Sequence, residues 1–205
     1  MGVTPQQFEQ MQQRLRKTGV AGKRTATTLV ETPHRATATH QIIIGVDPSL
    51  RGTGYGIIQL EKPHPRVLAH GTIKCPAHWE HSRCLVKISQ TLRELITKHR
   101  PTVCAIEGLF FAQNLQTAIV MGEARGAAMT VIAEAGLEIY EMAPRKMKQA
   151  IVGYGAAQKL AVGKMVQRIL HLEKAPEADA ADALALALAH AQTNNGFALA
   201  PARKI

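Results

Sequence analysis

Four acids occupy places where the surrounding pattern makes a charge costly. Asp47 follows the apolar run Ile42, Ile43, Ile44 and Val46, and Glu107 closes the strand-like segment TVCAIE. Asp179 and Asp182 stand three apart in ADAADALALALAH, residues 178–190, which is apolar on most sides as a helix. That spacing puts both on one helix face, within the first turns. Singly, an acid at a strand end is ordinarily a solvated loop residue, and an Asp near a helix start ordinarily complements the dipole. Together they are costly, because charges carried into partly buried surroundings need a cation or a hydrogen-bond network to compensate. Hard oxygen ligands with no thiolate nearby favour Mg2+ or Mn2+, and paired ions about 4 Å apart can clamp the attacking and leaving oxygens of an in-line displacement. The chemistry expected is phosphodiester hydrolysis with metal-activated water. Like charges gathered in one site also raise one another's pKa, so metal binding is expected to depend on pH.

For the four to meet, a sheet has to bring two strand ends together and a helix has to lie against it. The run from Ile42 to Val46 is short enough for a strand buried on both faces, PSLRG reads as a turn, and GTGYGIIQL and RVLAHGTIK read as two more strands around KPHP. These three form an antiparallel meander. Leu85, Ile88, Leu92, Leu95 and Ile96 recur at helical spacing between Ser82 and His99, and Pro101 ends that helix before TVCAIE. A helix over Leu115 to Ala135 follows, with Gly136 as its C-terminal cap and with Gly122 and Gly126 letting another backbone approach. Then come the strand EIYEM and helices over Pro144–Val152, Ala156–Leu172 and Glu177–Gln192. Alternation of helices with the later strands implies parallel crossovers added to the meander, a mixed α/β sheet with helices on both faces. Neighbouring strand ends in such a sheet deliver side chains to one crevice.

The formal net charge is +10, which favours a polyanionic partner because neutralised phosphates release counterions. Apolar residues at 46% and charged residues at 20% place the chain among folded proteins rather than disordered ones. Residues 1–40 differ, with six Lys or Arg against two Glu and few large apolar residues. Thr4, Pro5 and Gln7 form a capping box, and Phe8, Met11 and Leu15 line one narrow stripe. This basic N-terminal extension reads as a short solvated helix with a flexible tether, or as a partner-binding helix or an organellar transit peptide. The nuclease domain is expected over 41–192, with a C-terminal tail over 193–205. Cys75, Cys84 and Cys104 leave one thiol unpaired in any disulfide scheme, and no apolar stretch reaches signal-peptide or membrane-span length. A cytoplasmic location is expected, or an organellar one if residues 1–40 are a transit peptide.

In that order and spacing, GVDPSLRGTGYGII, AIEGLFFAQN, GEARG, the segment from Pro144 to Val166 and PEADAADALALALAH resemble the RuvC Holliday-junction resolvases. The similarity runs from about Ile42 to Ala191. It implies an RNase H-like fold and a homodimer that resolves a four-way DNA junction by paired symmetric nicks in recombination and repair, with a branch-migration motor as partner. Asp47, Glu107, Asp179 and Asp182 fall on the family's four metal-ligand positions, and that of Asp179 is one where some members carry His. Lys148 and Lys159 match basic residues used near the scissile phosphate, and Phe110 an aromatic that stacks on a base at the opened crossover. Gln113 replaces a common Lys, GYGAAQK lacks a further basic residue, Ser49 stands where glycine is usual, and the N-terminal extension has no counterpart.

Rival readings come from other classes. DPSLRGTG is also similar to the phosphate loop of actin-like ATPases, but those need a second, repeated subdomain that this chain is too short to hold. A non-catalytic junction-binding protein has no use for four acids facing a phosphate backbone. Another RNase H-like nuclease acting on hybrids or flaps is set apart only by the resemblance. Cys75, His78, His81 and Cys84, spaced every third residue, are soft ligands of a type that holds zinc, although such short, even spacing rarely closes a tetrahedron.

Overall fold

The apolar run at the start of the domain forms strand β1, Ile42–Asp47. A computed structural model describes residues 40–108, 114–194 and 203–205; the capping box of the extension, Phe110 and Gln113 lie outside them. β2, Gly52–Gln59, returns antiparallel, with Ile42 opposite Gln59 and Asp47 opposite Gly54. Thr53 closes the intervening turn: its hydroxyl donates to the Ser49 carbonyl (2.6 Å) and accepts from the Ser49 amide (3.2 Å). β3, Arg66–Lys74, completes the expected meander.

Helix α1, His81–His99, buries Cys84, Ile88, Leu92 and Ile96, one residue per turn on a single face. It stops where Arg100 turns left-handed (φ 48°) ahead of Pro101, whose ring no longer allows helix. β4, Val103–Glu107, pairs parallel with β1. Asn114 caps α2, Leu115–Glu134, by accepting the Thr117 amide at 2.8 Å, and Gly136 (φ 71°) turns the chain into β5, Glu138–Met142, parallel to β4. Three helices follow: α3, Pro144–Val152, α4, Lys159–Ile169, and α5, Ala178–Asn194. α4 is shorter than its expected span because Gly153 (φ 96°) and the residues up to Gln158 form the connection.

The sheet order is β3-β2-β1-β4-β5-β6. β6, Arg203–Lys204, adds antiparallel to β5, so the end of the expected tail joins the sheet. Successive residues of each strand feed opposite faces. Ile44, Val46, Ile57, Cys104 and Ile106 pack with the apolar stripes of α1 and α2, whereas Ile43, Ile58, Val103 and Ala105 pack with α3, α4 and α5. α5 is buried from Ala180 to Ala191, which explains a helix apolar nearly all round.

The zinc reading fails on direction. Cys75 and Cys84 are buried among core residues, whereas His78 and His81 are exposed and His81 faces Glu123 (3.3 Å). The chain runs from a strand end through a turn into a helix, so spacing by threes does not place these four on one side. Arg51 instead ties the segment down, its Nη1 donating to the carbonyls of Pro76 (2.7 Å) and Trp79 (2.9 Å). Arg83 lies over the Trp79 ring, 4.0 Å from its centre. No helix among the described residues is long and apolar enough to cross a membrane.

Candidate active site

β1 and β4 are parallel neighbours, so their C-terminal ends open on one edge of the sheet, and Asp47 and Glu107 are the last residues of each. The two carboxyls hydrogen-bond to each other. One must carry the proton. Burial, followed by the charge of Asp47 and the bond to it, pushes Glu107 up to about 8, so the pair holds a proton between them at neutral pH. Burial also raises Asp47, against the bond from Glu107 that lowers it.

α5 reaches this edge because the strands beneath it lack side chains. Gly45 pairs with Gly56, and Asp47 with Gly54. A Cβ on Gly54 would overlap the Asp179 carbonyl oxygen and lie 2.5 Å from its carbon; one on Gly45 would overlap the Ala183 carbonyl. A Cβ on Gly52 would come within 2.9 Å of Asp179 Oδ2. The helix backbone therefore rests on the sheet itself, and its first turns carry Asp179 and Asp182 to the strand ends. The alternation of Gly52, Gly54 and Gly56, facing an Ala-rich helix, is the signal in the sequence for this seat.

Asp182 is 5% exposed. Its Oδ2 lies 3.1 Å from Lys159 Nζ, while Oδ1 is buried without a hydrogen-bond partner. Lys159 is the first residue of α4. Burial works to lower its pKa, but the charges of Asp182, Asp47 and Asp179 outweigh that and raise it. Asp179 is half-buried. Lys148, on α3, is half-buried and forms no ion pair with the four acids among the described residues. Thus the four acids and Lys159 come together, Lys148 stands apart, and Phe110 lies outside the described residues.

These groups suit a hard cation. Among the described residues no three His, Cys, Asp or Glu side chains form a ready-made cage. The acids are paired off instead, Glu107 with Asp47 and Asp182 with Lys159. An incoming divalent ion would give Asp182 Oδ1 the partner it lacks and would displace one proton and one ammonium.

A pH test follows from Glu107. Its proton is held more tightly in the folded chain than in the unfolded one, so the stability it contributes is complete below an ordinary carboxyl pKa of 4.5 and is lost as pH rises to about 8. At about 1.4 kcal/mol per pKa unit, the loss is on the order of a few kcal/mol. His190 works in the opposite direction: burial, then His40, lowers it to about 4, so its contribution grows from there up to pH 6.5. The window from 6.5 to 8 isolates the carboxyl pair. In chelator, Tm should fall across that window, and Glu107→Gln should flatten the fall. Equal slopes in the two proteins would refute the shared proton.

Residues 43–190 match the family model for the crossover junction endodeoxyribonuclease RuvC. Proteins of that name from Chromohalobacter salexigens and Coxiella burnetii are 44% identical over 162 residues and 49% identical over 154, covering 79% and 75% of this chain and 87% and 89% of theirs. The Thermus thermophilus RuvC solved with a Holliday junction substrate is 31% identical, with a TM-score of 0.74 over 81% of this chain and 100% of that one, and the fold is accordingly RNase H-like. Since the matched stretch takes in all four acids and the helix and strands that seat them, the chain belongs to the RuvC family of crossover junction endodeoxyribonucleases.

Proposed function

We infer that this chain resolves four-way DNA junctions, hydrolysing one phosphodiester bond in each of two strands as a homodimer, with Mg2+ as its ion and Mn2+ able to replace it. The observation that carries this is the meeting of Asp47, Glu107 and Asp182 at adjacent strand ends, in a chain of that family. Asp47, Glu107, Asp182 and Asp179 would hold the ions, which when bound would neutralise phosphate charge and acidify the attacking water. Binding an ion there would release the proton that Asp47 and Glu107 share. Lys159, held 3.1 Å from Asp182, is placed to turn its ammonium to a phosphate oxygen when DNA arrives. Lys148 and Phe110 are assigned phosphate contact and base stacking on the family pattern alone.

The homodimer reading gains support from α2. Leu115 (77% exposed), Ile119 (53%), Gly122 and Gly126 follow one another at spacings of four, three and four, which makes one stripe. Gly122 and Gly126 are expected to admit a neighbouring backbone, yet among the described residues nothing outside their own helix lies within 4 Å of where their Cβ atoms would be. A second copy fits the stripe: apolar at one end, bare backbone along the rest. A branch-migration motor as partner and a cytoplasmic location complete the reading, the latter in keeping with three buried free thiols.

The deciding experiment offers labelled four-way junction, linear duplex and RNA–DNA hybrid to the full-length chain, with Mg2+ or with chelator. Paired nicks in the junction alone, lost in chelator, are expected. Cleavage of the hybrid would overturn the substrate assignment, and cleavage in chelator would overturn the metal.

A further inference from the structure

Arg125, on α2, is 8% exposed, a buried cation behind the wall that carries Glu107. Its Nη1 donates to the Glu107 backbone carbonyl, and its Nη2 lies 2.5 Å from Glu141 Oε2 on β5. The ion pair anchors the guanidinium. What it reaches for is a backbone oxygen that the sheet cannot serve.

The Gly108 amide donates to the Met142 carbonyl on β5 (2.9 Å). The Glu107 carbonyl, on the opposite side of the same planar peptide, therefore points toward β1. The β1–β4 register runs from Ile43 opposite Val103 to Val46 opposite Ile106, so the next amide due on β1 is that of residue 48. Residue 48 is proline and has no N–H. The proline has its own use, since it breaks β1 at Asp47 and lets the strand ends part into a crevice. Its cost is an unsatisfied carbonyl one bond from the Cα that aims Glu107.

We propose that Arg125 is a positioning residue for Glu107: it supplies the ladder hydrogen bond that Pro48 withholds, Glu141 fixes its guanidinium, and the strand end carrying the carboxylate is thereby held from the α2 side. The proposal rests on the reading of the four acids as the hydrolytic site. Arg125 touches neither substrate nor the reacting carboxyls. Its effect passes through the backbone of Glu107, and so through how well the acids receive an ion.

The test compares the full-length wild type with Arg125→Met, Pro48→Ala and the double variant. Mn2+ affinity is read by electron paramagnetic resonance without DNA, alongside Tm, junction binding in chelator and single-turnover cleavage. Arg125→Met should weaken Mn2+ binding about tenfold and slow cleavage about a hundredfold, with junction binding within about threefold of wild type. The double variant should recover Mn2+ affinity, because residue 48 then carries an amide that can serve the same carbonyl. A merely structural role for a buried charge predicts no such rescue. Unchanged Mn2+ affinity in Arg125→Met, or a loss as large in the double variant, overturns the proposal. Should Arg125→Met fail to fold, Glu141→Gln, which loosens the anchor and keeps the guanidinium, must weaken Mn2+ binding, and its equality with wild type overturns the proposal. Failure of the wild-type chain itself to bind Mn2+ or cut the junction overturns the functional reading and the proposal with it; failure confined to the variants overturns the proposal alone.

Discussion

Asp47→Asn protein should fold, bind a four-way junction, and cut it at about a thousandth of the wild-type rate or less, a loss of about 4 kcal/mol in transition-state stabilisation. The amide keeps the volume of the carboxylate, so the packing of β1 against β2 and β4 should survive. It cannot take the place of an anionic oxygen ligand. The variant keeps an oxygen that can accept from Glu107 but loses the charge that raises it, which matters because Asp47 is half-buried and its charge is tolerated through Glu107 and Lys159. Without metal, removing a charge that faces phosphates should leave junction binding equal or tighter, whereas a misfolded protein would lose it. Single-turnover cleavage at saturating Mg2+ and binding in chelator read the two effects separately. Cleavage within about tenfold of wild type would rule out Asp47 as a metal ligand. Asp179→Asn makes the internal comparison: Asp179 is half-buried at the start of α5, Asp182 is 5% exposed, and the substitution at 179 should be the mildest of the four.

Much of this architecture is legible in the residues because the elements are bounded by strong local chemistry. The run Ile42–Val46 ends at Asp-Pro, α1 ends at Arg100 and Pro101, and EIYEM and Pro144–Val152 appear over the spans their patterns predict. The two strand-end acids follow from this, since an apolar strand can finish in a charge only where the sheet opens. β6 is a two-residue exposed strand without an apolar pattern, and its existence depends on the free edge of β5. The evenly spaced cysteines and histidines mislead for a related reason: a fixed spacing implies a shared side only within one element, and theirs spans three conformations.

The partners of the acids are harder to read than the acids. Nothing local marks Arg125 as buried, because its necessity arises from a proline on another strand and the pairing of β1 with β4. Lys159 and Asp182 meet only because α4 and α5 pack on the same face of the sheet. The glycines lie between these cases. Their alternation in β2 is visible, but its meaning depends on knowing that α5 lies across them.

That dependence gives Gly54→Ala a large expected structural effect at the turn that carries the acids. The added methyl would overlap the Asp179 carbonyl oxygen and stand 2.5 Å from its carbon, and both are backbone atoms of α5 rather than a side chain able to rotate away. α5 would have to lift from β2 at the very turn that carries two acids, while Gly45, pressed on the Ala183 carbonyl, resists a shift further along. Overpacking of this kind costs about 1–3 kcal/mol or more, because a helix buried from Ala180 to Ala191 cannot shift without disturbing the β-sheet below and α3 and α4 beside it. An ångström of displacement at Asp182 is enough to cost about a hundredfold in rate, so cleavage should fall even in the fraction that remains folded. Thermal melting and cleavage per folded molecule measure the two losses. Gly126→Ala provides the contrast, since among the described residues nothing outside its own helix lies within 4 Å of that Cβ and alanine is the better helix former; its monomer should be as stable as wild type or more so. Gly54→Ala with wild-type melting and cleavage would mean that α5 does not rest on the strands, and the convergence of the four acids would then need another explanation.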